Sequence, residues 1–318
     1  MNIADRLCER IASLGSPIVV GLDPVLSRMP QVYLKQSTAE HPFERVADAI
    51  LRFNKDIIDV VCELVPAVKP QMAFYEQYGS HGVRAFEQTV QYAKQKGLIV
   101  VEDGKRNDIG NTALAYANGH LGAVEIGQGA TTPSFDVDFL TVSPFLGSES
   151  LQPFVDVCAK HNKGIFVLAR TSNSSSGEIQ EAVDQKGNSV SASIAHYIAS
   201  EAEKQCGNMG YSAIGAVVGA TYPDEAKQLR AMMPKSIFLV PGYGAQGATA
   251  ADIAPNFNPD GFGAIVNSSR EILYAYEKSG IGRHCTRDQY MESVKSATLT
   301  MCQSIMQMLR EQCRQLAY

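Results

Sequence analysis

A lysine lies between two acidic residues in the segment 103–108, which reads DGKRND. If a strand runs through its first half, Asp103 and Lys105 share one face, because side chains alternate along a strand. Flanking carboxylates such as those of Asp103 and Asp108 keep an ammonium protonated. A Schiff-base lysine needs the opposite, a pKa lowered by burial or by a neighbouring cation. We therefore predict that Lys105 delivers a proton to a carbanion.

The same segment also allows a simpler structural interpretation. If a helix begins near Asp108, that residue and Thr112 form a pair one turn apart on its surface. Asp108 would then cap the helix while the other charges face solvent. Capping is compatible with chemistry, but it leaves Asp103 and Lys105 without a role.

A glycine-rich segment forms the second cluster: residues 241–247 read PGYGAQG and match the pattern GxGxxG. A dinucleotide site also needs an acidic residue about 20 residues later, at the end of the next strand, where this chain has Asn267. Glycines let backbone N–H groups approach a phosphate, and Arg270 follows as a bidentate partner. We predict a phosphomonoester site here, in preference to glycines that serve only a turn.

Short apolar runs rich in β-branched residues alternate with helical patterns, which is typical of a parallel sheet covered on its faces. The predicted strands are Ile18–Leu22, Leu64–Val68, Leu98–Val101, Phe139–Val142, Gly164–Leu168, Ala213–Val218, Ile237–Val240 and Phe262–Val266. Eight such units favour an α/β TIM (β/α)8 barrel over an open doubly wound sheet. Because no linker or repeat divides the chain, we expect residues 1–318 to form a single domain.

Three helices have clear sequence signatures. Met1–Leu14 is amphipathic, and the segment from Val83 to Ala93 has apolar residues at helical spacing before Gly97. Thr286 with Gln289 forms a capping box at the start of the last helix.

Reactive groups of a barrel lie at the carboxyl ends of its strands and in the loops that follow. Polar residues recur at these positions in the chain: Asp23, Lys69, Asp103, Lys105, Thr171 and Arg270. Two of the following connections, 24–43 and 171–193, are long enough to act as lids. We therefore expect these side chains to meet at one rim of the barrel.

Composition excludes several classes of protein. The chain has 28 basic and 33 acidic residues, a net charge of −5, which does not suit a nucleic-acid binder. Its seven cysteines include no CxxC pair and its histidines have no ligand spacing, so we expect a reducing cytoplasm and no metal. No apolar run approaches the roughly 20 residues that a membrane helix needs.

Several motifs resemble one known family. Residues 103–112, DGKRNDIGNT, resemble the DxKxxDIxxT signature of the orotidine 5′-phosphate decarboxylase family. Further runs are similar to those of its longer, type 2 subfamily: GLDP at 21–24, VKPQMAFYEQYG at 68–79, LARTSN at 168–173, VPGYGAQG at 240–247 and NSSR at 267–270. Gln71 departs from the family pattern, in which relatives often carry Asn.

The resemblance implies a cofactor-free TIM-barrel homodimer that converts orotidine 5′-monophosphate to UMP and CO2, the last step of de novo pyrimidine synthesis. Lys105 would protonate C6 of the pyrimidine, Asp103 would face the substrate carboxylate, and Lys69 would pair with Asp103 and contact ribose. Asp108 would enter from the other subunit with Ile109 and Thr112. The implied substrate-binding residues are Asp23 and Gln71 at the ribose, Thr171 or Ser172 at the pyrimidine edge, Pro241, and Gln246 with Arg270 at the phosphate.

Two alternatives remain open at this point. A related barrel that acts on sugar phosphates, such as a hexulose phosphate synthase, has a similar acid-lysine-acid motif but needs Mg²⁺ to hold an enediolate. A non-catalytic barrel could also retain the same rim to sense a phosphorylated ligand. Metal dependence separates the first alternative from the decarboxylase, and turnover separates the second.

Overall fold

The strands of the computed structural model form one closed barrel and one small hairpin within the described residues, 2–35, 37–244 and 247–315, with side chains described as far as 312. In chain order the strands are β1 (Ile18–Leu22), β2 (Ala67–Pro70), β3 (Ile99–Arg106), β4 (Val124–Gly127), β5 (Ala130–Thr132), β6 (Phe139–Val142), β7 (Gly164–Arg170), β8 (Ser212–Val218), β9 (Ser236–Val240) and β10 (Ala264–Ser268). All except β4 and β5 are parallel and close in the order β1-β2-β3-β6-β7-β8-β9-β10. The predicted TIM barrel is therefore confirmed.

Each predicted strand corresponds to a strand of the barrel, with two informative shifts. The second strand begins at Ala67, because the backbone N–H groups of Leu64 and Val65 bond to the carbonyl of Val61 and close the preceding helix. The third continues to Arg106 and so includes Lys105. The antiparallel hairpin of β4 and β5 was not predicted, and its strands are mostly exposed.

The three helices predicted from the sequence are confirmed. Helices cover the outside of the barrel. They are α1 (Ile3–Leu14), α2 (Gln31–Leu34), α3 (Pro42–Val61), α4 (Ala73–Glu76), α5 (Gly79–Gln95), α6 (Gly110–His120), α7 (Ser148–His161), α8 (Gly177–Gln180), α9 (Val190–Lys204), α10 (Pro223–Met232), α11 (Ala250–Ile253), α12 (Arg270–Leu273), α13 (Ala275–Lys278) and α14 (Arg287–Gln315). The capping box precedes α14 as expected: the Thr286 N–H donates to Gln289 Oε1 at 2.9 Å, and the Gln289 N–H donates to Thr286 Oγ1 at 3.2 Å.

Side chains fill the barrel interior. Phe139 and Phe166 stack with their ring centroids 5.0 Å apart. Ile3 and Leu7 of α1 are buried in the same apolar cluster, so α1 closes the amino-terminal end of the barrel. The opposite, carboxyl-terminal end of the barrel remains available for polar groups. Active sites of this fold lie at that end.

Both long connections contain short helical segments. The first contains a 3-10 turn at Leu26–Arg28 and the short helix α2, and the second contains a 3-10 turn at Ser174–Ser176 and the short helix α8. None of the helices in the described ranges combines the length and the apolar character that a membrane span requires.

Packing inside the barrel depends on the small size of Gly215. A Cβ at this position would lie 2.4 Å from the carbonyl oxygen of Ile237 and 2.7 Å from Phe166 Cδ1. We predict that Gly215→Ala lowers the free energy of unfolding by about 1–3 kcal/mol, because the backbone of β9 cannot move away without disturbing the barrel. Urea unfolding monitored by circular dichroism measures this change.

Gly119→Ala provides the control. A Cβ on Gly119, inside α6, meets no atom within 4 Å. This substitution should therefore raise stability by about 0.5–1 kcal/mol, through the helix propensity of alanine. Equal effects of the two substitutions would contradict this account of the interior.

Candidate active site

The carboxylate of Asp103 is the centre of a polar cluster at the carboxyl-terminal end of the barrel. Its Oδ2 accepts hydrogen bonds from Lys69 Nζ at 2.7 Å and from Gln71 Nε2 at 2.8 Å. Its Oδ1 accepts from Lys105 Nζ at 2.5 Å and from Thr141 Oγ1 at 3.0 Å. Four side chains from the region of β2, β3 and β6 therefore converge on one buried anion.

Charge balance decides the ionisation of this cluster. Burial alone would raise the pKa of Asp103, but the charges of Lys69 and Lys105 outweigh it and hold the pKa well below its ordinary value. Burial would likewise lower the pKa of Lys69, yet Asp103 and Asp23 reverse the shift and raise it. Asp103 is thus an anion and Lys69 a cation near neutral pH.

Lys105 reaches Asp103 from an irregular backbone. Its φ is +47°, in the left-handed region that residues other than glycine rarely adopt, and the pairing of β3 with β6 shifts register between Glu102 and Arg106. The Lys105 N–H donates to Thr141 Oγ1 at 2.9 Å, which holds the kink in place. Asp103 and Lys105 do lie on one face, as predicted, but a regular strand is not the reason.

A buried pair supports the other side of β3. Glu102 and His120 are both buried, and Glu102 Oε2 lies 2.7 Å from His120 Nδ1. His120 is the last residue of α6, so this contact fastens the end of α6 to the strand that carries Asp103 and Lys105.

Asp23 follows β1 on the same rim. Burial raises the pKa of Asp23, against the opposing effects of the Lys69 charge and of the Ser269 hydroxyl. Its Oδ1 is buried without a hydrogen-bond partner among the described residues. The Tyr274 hydroxyl fixes the backbone here, donating to the Asp23 carbonyl at 2.9 Å and accepting from the Val25 N–H at 2.7 Å.

A cavity of about 210 Å³ opens above this cluster. The predicted residues that line it are Lys69, Asp103, Lys105, Thr171, Ser172 and Pro241. Thr141, Leu168, Asn173, Val217 and Leu239 complete the lining. The cavity therefore has a charged floor and an apolar wall, an arrangement suited to a flat ring that carries polar substituents.

Asp108, Ile109 and Thr112 lie apart from this cavity. The helix that follows them begins at Gly110 with Ile109 at its N-cap and no side-chain cap, so the interpretation of Asp108 as a cap is wrong. Asp108 Oδ1 instead accepts the N–H of Ile109 at 2.8 Å, and Ile109 is 50% exposed. Two acids were expected to flank Lys105. Within this chain that expectation is wrong, because among the described residues only Asp103 forms an ion pair with Lys105.

The glycine-rich segment adopts conformations that only glycine accepts easily. Gly242, Gly244 and Gly247 have φ values of 107°, 69° and 91°. A Cβ on Gly244 would lie 2.9 Å from Glu271 Cγ, so Gly244 packs against the start of α12, where Arg270 is exposed. Arg270 does not line the 210 Å³ cavity. Gln246 lies outside the described residues.

Neither Thr141 nor the actual partner of Gln71 was predicted from the sequence. Thr141 lies two residues after Phe139 in β6, so the alternation of that strand could have placed it inside the barrel. Nothing in the sequence indicates that the Gln71 amide turns to Asp103. Among the residues that the structure describes, no group of three or more His, Cys, Asp or Glu side chains could hold a metal ion.

Comparisons with known proteins agree with this geometry. A family profile described as "Orotidine 5'-phosphate decarboxylase / HUMPS family" matches residues 16–283. The orotidine 5′-phosphate decarboxylase of Rhodopirellula baltica is 42% identical over 95% of this chain and 98% of its own length. That of Caldicellulosiruptor saccharolyticus is 38% identical over 87% of this chain and 91% of its own.

Solved structures give the same result. The OMP decarboxylase of Leishmania donovani superposes with a TM-score of 0.70 and 28% identity, covering 97% of this chain and 99% of that one. The matched region includes β1 to β10 and the whole polar cluster around Asp103. The chain belongs to the orotidine 5′-phosphate decarboxylase / HUMPS family.

Proposed function

We propose that this chain decarboxylates orotidine 5′-monophosphate to UMP and CO2, with Lys105 as the proton donor to C6. The observation that carries the proposal is the Lys105 ammonium, held 2.5 Å from Asp103 in the cavity that both residues line. The bond between C6 and the carboxylate breaks, CO2 leaves, and the electron pair stays on C6. The Lys105 Nζ then gives its proton to C6 and regains one from water, since its side chain is 46% exposed.

Electrostatics explains why this site suits the reaction. The carbanion at C6 has no adjacent group that can take up its charge, so fixed positive charge must stabilise it. Lys105 supplies that charge, and because its position is set by Asp103 before the substrate arrives, little reorganisation is needed during the reaction. Asp103 lies beside the substrate carboxylate, which departs as neutral CO2.

The ribose binds on the side of Asp23 and Lys69. The unpartnered Oδ1 of Asp23 is a ready acceptor for a ribose hydroxyl, because a buried acceptor gains most from a new hydrogen bond. Lys69 contacts the ribose while it remains paired with Asp103. Gln71 acts mainly by donating to Asp103, and any contact that it makes with ribose is secondary.

The pyrimidine edge is recognised by Ser172 in preference to Thr171. The Thr171 hydroxyl donates to Asn173 Oδ1 at 2.7 Å and accepts from Gln180 Nε2 at 2.8 Å, so its donor is already used. Ser172 also lines the cavity, beside Pro241, and its hydroxyl has no hydrogen-bond partner within the described part of the chain. It can therefore turn toward a ring carbonyl or N–H.

The phosphate binds at the glycine-rich segment, with Gln246 and Arg270 as its side-chain partners. Gly242 and Gly244 permit a close approach of backbone N–H groups to an anion. Arg270 forms no ion pair with any other described residue, so its guanidinium is free to bind a phosphate. Binding energy gained at this remote group is available to organise the reacting end of the substrate.

The protein acts as a homodimer in which Asp108, Ile109 and Thr112 of one subunit complete the site of the other. The exposed surface around α6 includes three large apolar side chains, Ile109, Leu114 and Tyr116, which are available for burial against a second subunit. We place the enzyme in the cytoplasm, where its cysteines stay reduced. The six cysteines with described side chains are all free.

The alternative, a Mg²⁺-dependent sugar-phosphate enzyme, has no support. The relatives from Rhodopirellula and Caldicellulosiruptor, which match most of this chain, are both named orotidine 5′-phosphate decarboxylases.

Replacement of Lys105 tests the proposed chemistry. Lys105→Ala should lower turnover of orotidine 5′-monophosphate by about 10³-fold or more, because both the proton donor and the stabilising charge are lost. Loss of the orotate absorbance measures turnover, and wild-type turnover should persist in EDTA. Affinity for UMP should change by no more than about tenfold.

Lys160→Ala provides the matched control, since Lys160 is an exposed lysine of α7 outside the cavity. It should leave turnover unchanged. Near-normal turnover by the Lys105 variant, or a wild-type enzyme that is inactive without Mg²⁺, would refute the proposal.

Hybrid dimers test whether the site is shared. Lys105→Ala and Asp108→Ala should each be nearly inactive alone. After mixing and subunit exchange, half of the dimers are hybrids with one intact site, so about a quarter of wild-type activity should return. If Asp108 acts within its own subunit, each hybrid site contains a defect and no activity returns.

A further inference from the structure

Arg170, the last residue of β7, is a buried cation that contacts two separate parts of the protein. Its side chain is 0% exposed. On one side it forms a bidentate pair with Glu225 of α10, with Nε 2.5 Å from Oε2 and Nη2 3.0 Å from Oε1. Its guanidinium also lies over the ring of Tyr222, 3.8 Å from the ring centroid. These contacts fix the guanidinium to the barrel frame.

On its other side, Arg170 binds the connection 171–189, which we term the lid. It donates to Ser176 Oγ at 2.6 Å and to Glu181 Oε1 at 2.5 Å. Gln180 lies between these two contacts in sequence, and its side chain hydrogen-bonds to Thr171, the first residue of the lid. Its Oε1 accepts the Thr171 N–H at 2.9 Å, and its Nε2 donates to Thr171 Oγ1. The lid is therefore folded back onto its own first residue and held there by one arginine.

We propose that Arg170 is a positioning residue for pyrimidine recognition: it fixes the inner end of the lid so that Ser172 faces the ring. The inference rests on the proposed function of the cavity, in which Ser172 reads the pyrimidine edge. Arg170 does not line that cavity and so acts through the lid. A planar guanidinium has five N–H donors in a fixed arrangement and can bind Glu225, Ser176 and Glu181 at once. A lysine ammonium lacks this arrangement.

A purely structural role is the competing explanation, and the chain contains an arginine that illustrates it. Arg230 is also buried, but its guanidinium donates to backbone carbonyls within the barrel frame, including those of Met233, Ser236 and Gly263. It has no contact with the lid among the described residues. Loss of Arg230 should weaken the fold without acting selectively on the pyrimidine.

Binding of two ligands distinguishes a positioning role of Arg170 from a purely structural one. UMP contacts the base, ribose and phosphate regions, whereas ribose 5-phosphate lacks the base. Arg170→Lys should weaken UMP binding by about tenfold or more and change ribose 5-phosphate binding by less than about twofold. Glu225→Gln, which keeps Arg170 but weakens its anchor, should shift the ratio of the two affinities in the same direction by about threefold. Isothermal titration calorimetry on the full-length protein measures both affinities.

Arg230→Lys is the matched control. It should lower the melting temperature and leave the ratio of the two affinities unchanged. Equal losses for both ligands in Arg170→Lys, or no loss for either in the folded variant, would overturn the inference. If Arg170→Lys does not fold, Glu225→Gln decides by the same criterion. Wild-type turnover tests the proposed function separately, because it does not depend on the outcome for these variants.

Discussion

The ionised carboxylate of Asp103, held between two ammonium groups, is the interaction on which the site depends. A buried charge is costly unless other groups compensate it fully. Here Lys69, Lys105, Gln71 and Thr141 all donate to the same carboxylate. The consequence is that the Lys105 ammonium has a fixed place at the cavity floor before any ligand arrives, which is the condition for electrostatic catalysis.

The barrel creates this arrangement by bringing distant segments of the chain to one rim. β2, β3 and β6 are neighbours in the barrel, so Lys69 and Thr141 meet Asp103 although they lie 34 and 38 residues away in sequence. The kink at Lys105 has a local energetic cost, since a left-handed lysine is strained. The hydrogen bond from its N–H to Thr141 offsets part of that cost and couples backbone shape to the anion.

Periodicity and motif spacing predicted the framework well, because parallel strands buried on both faces have nearly continuous apolar sequences. β1 and β6 begin and end where expected. The prediction failed where tertiary contacts decide the outcome. Leu64 and Val65 have strand-like side chains, but their N–H groups complete α3. The cap that the simpler structural interpretation placed at Asp108 did not form, and no local pattern indicates that Arg170 joins the lid to Glu225, 55 residues later.

The ionisation of Asp103 in the free protein is the most direct measure of this account. A carboxyl ¹³C NMR titration, with the signal assigned by comparison with Asp103→Asn, would follow it. Asp103 should remain ionised while exposed carboxylates titrate near their ordinary pKa of about 4, because the charges of Lys69 and Lys105 outweigh the effect of burial on its pKa. A midpoint for Asp103 at or above that ordinary pKa would show that the two ammonium groups do not hold the carboxylate, and the account would be wrong.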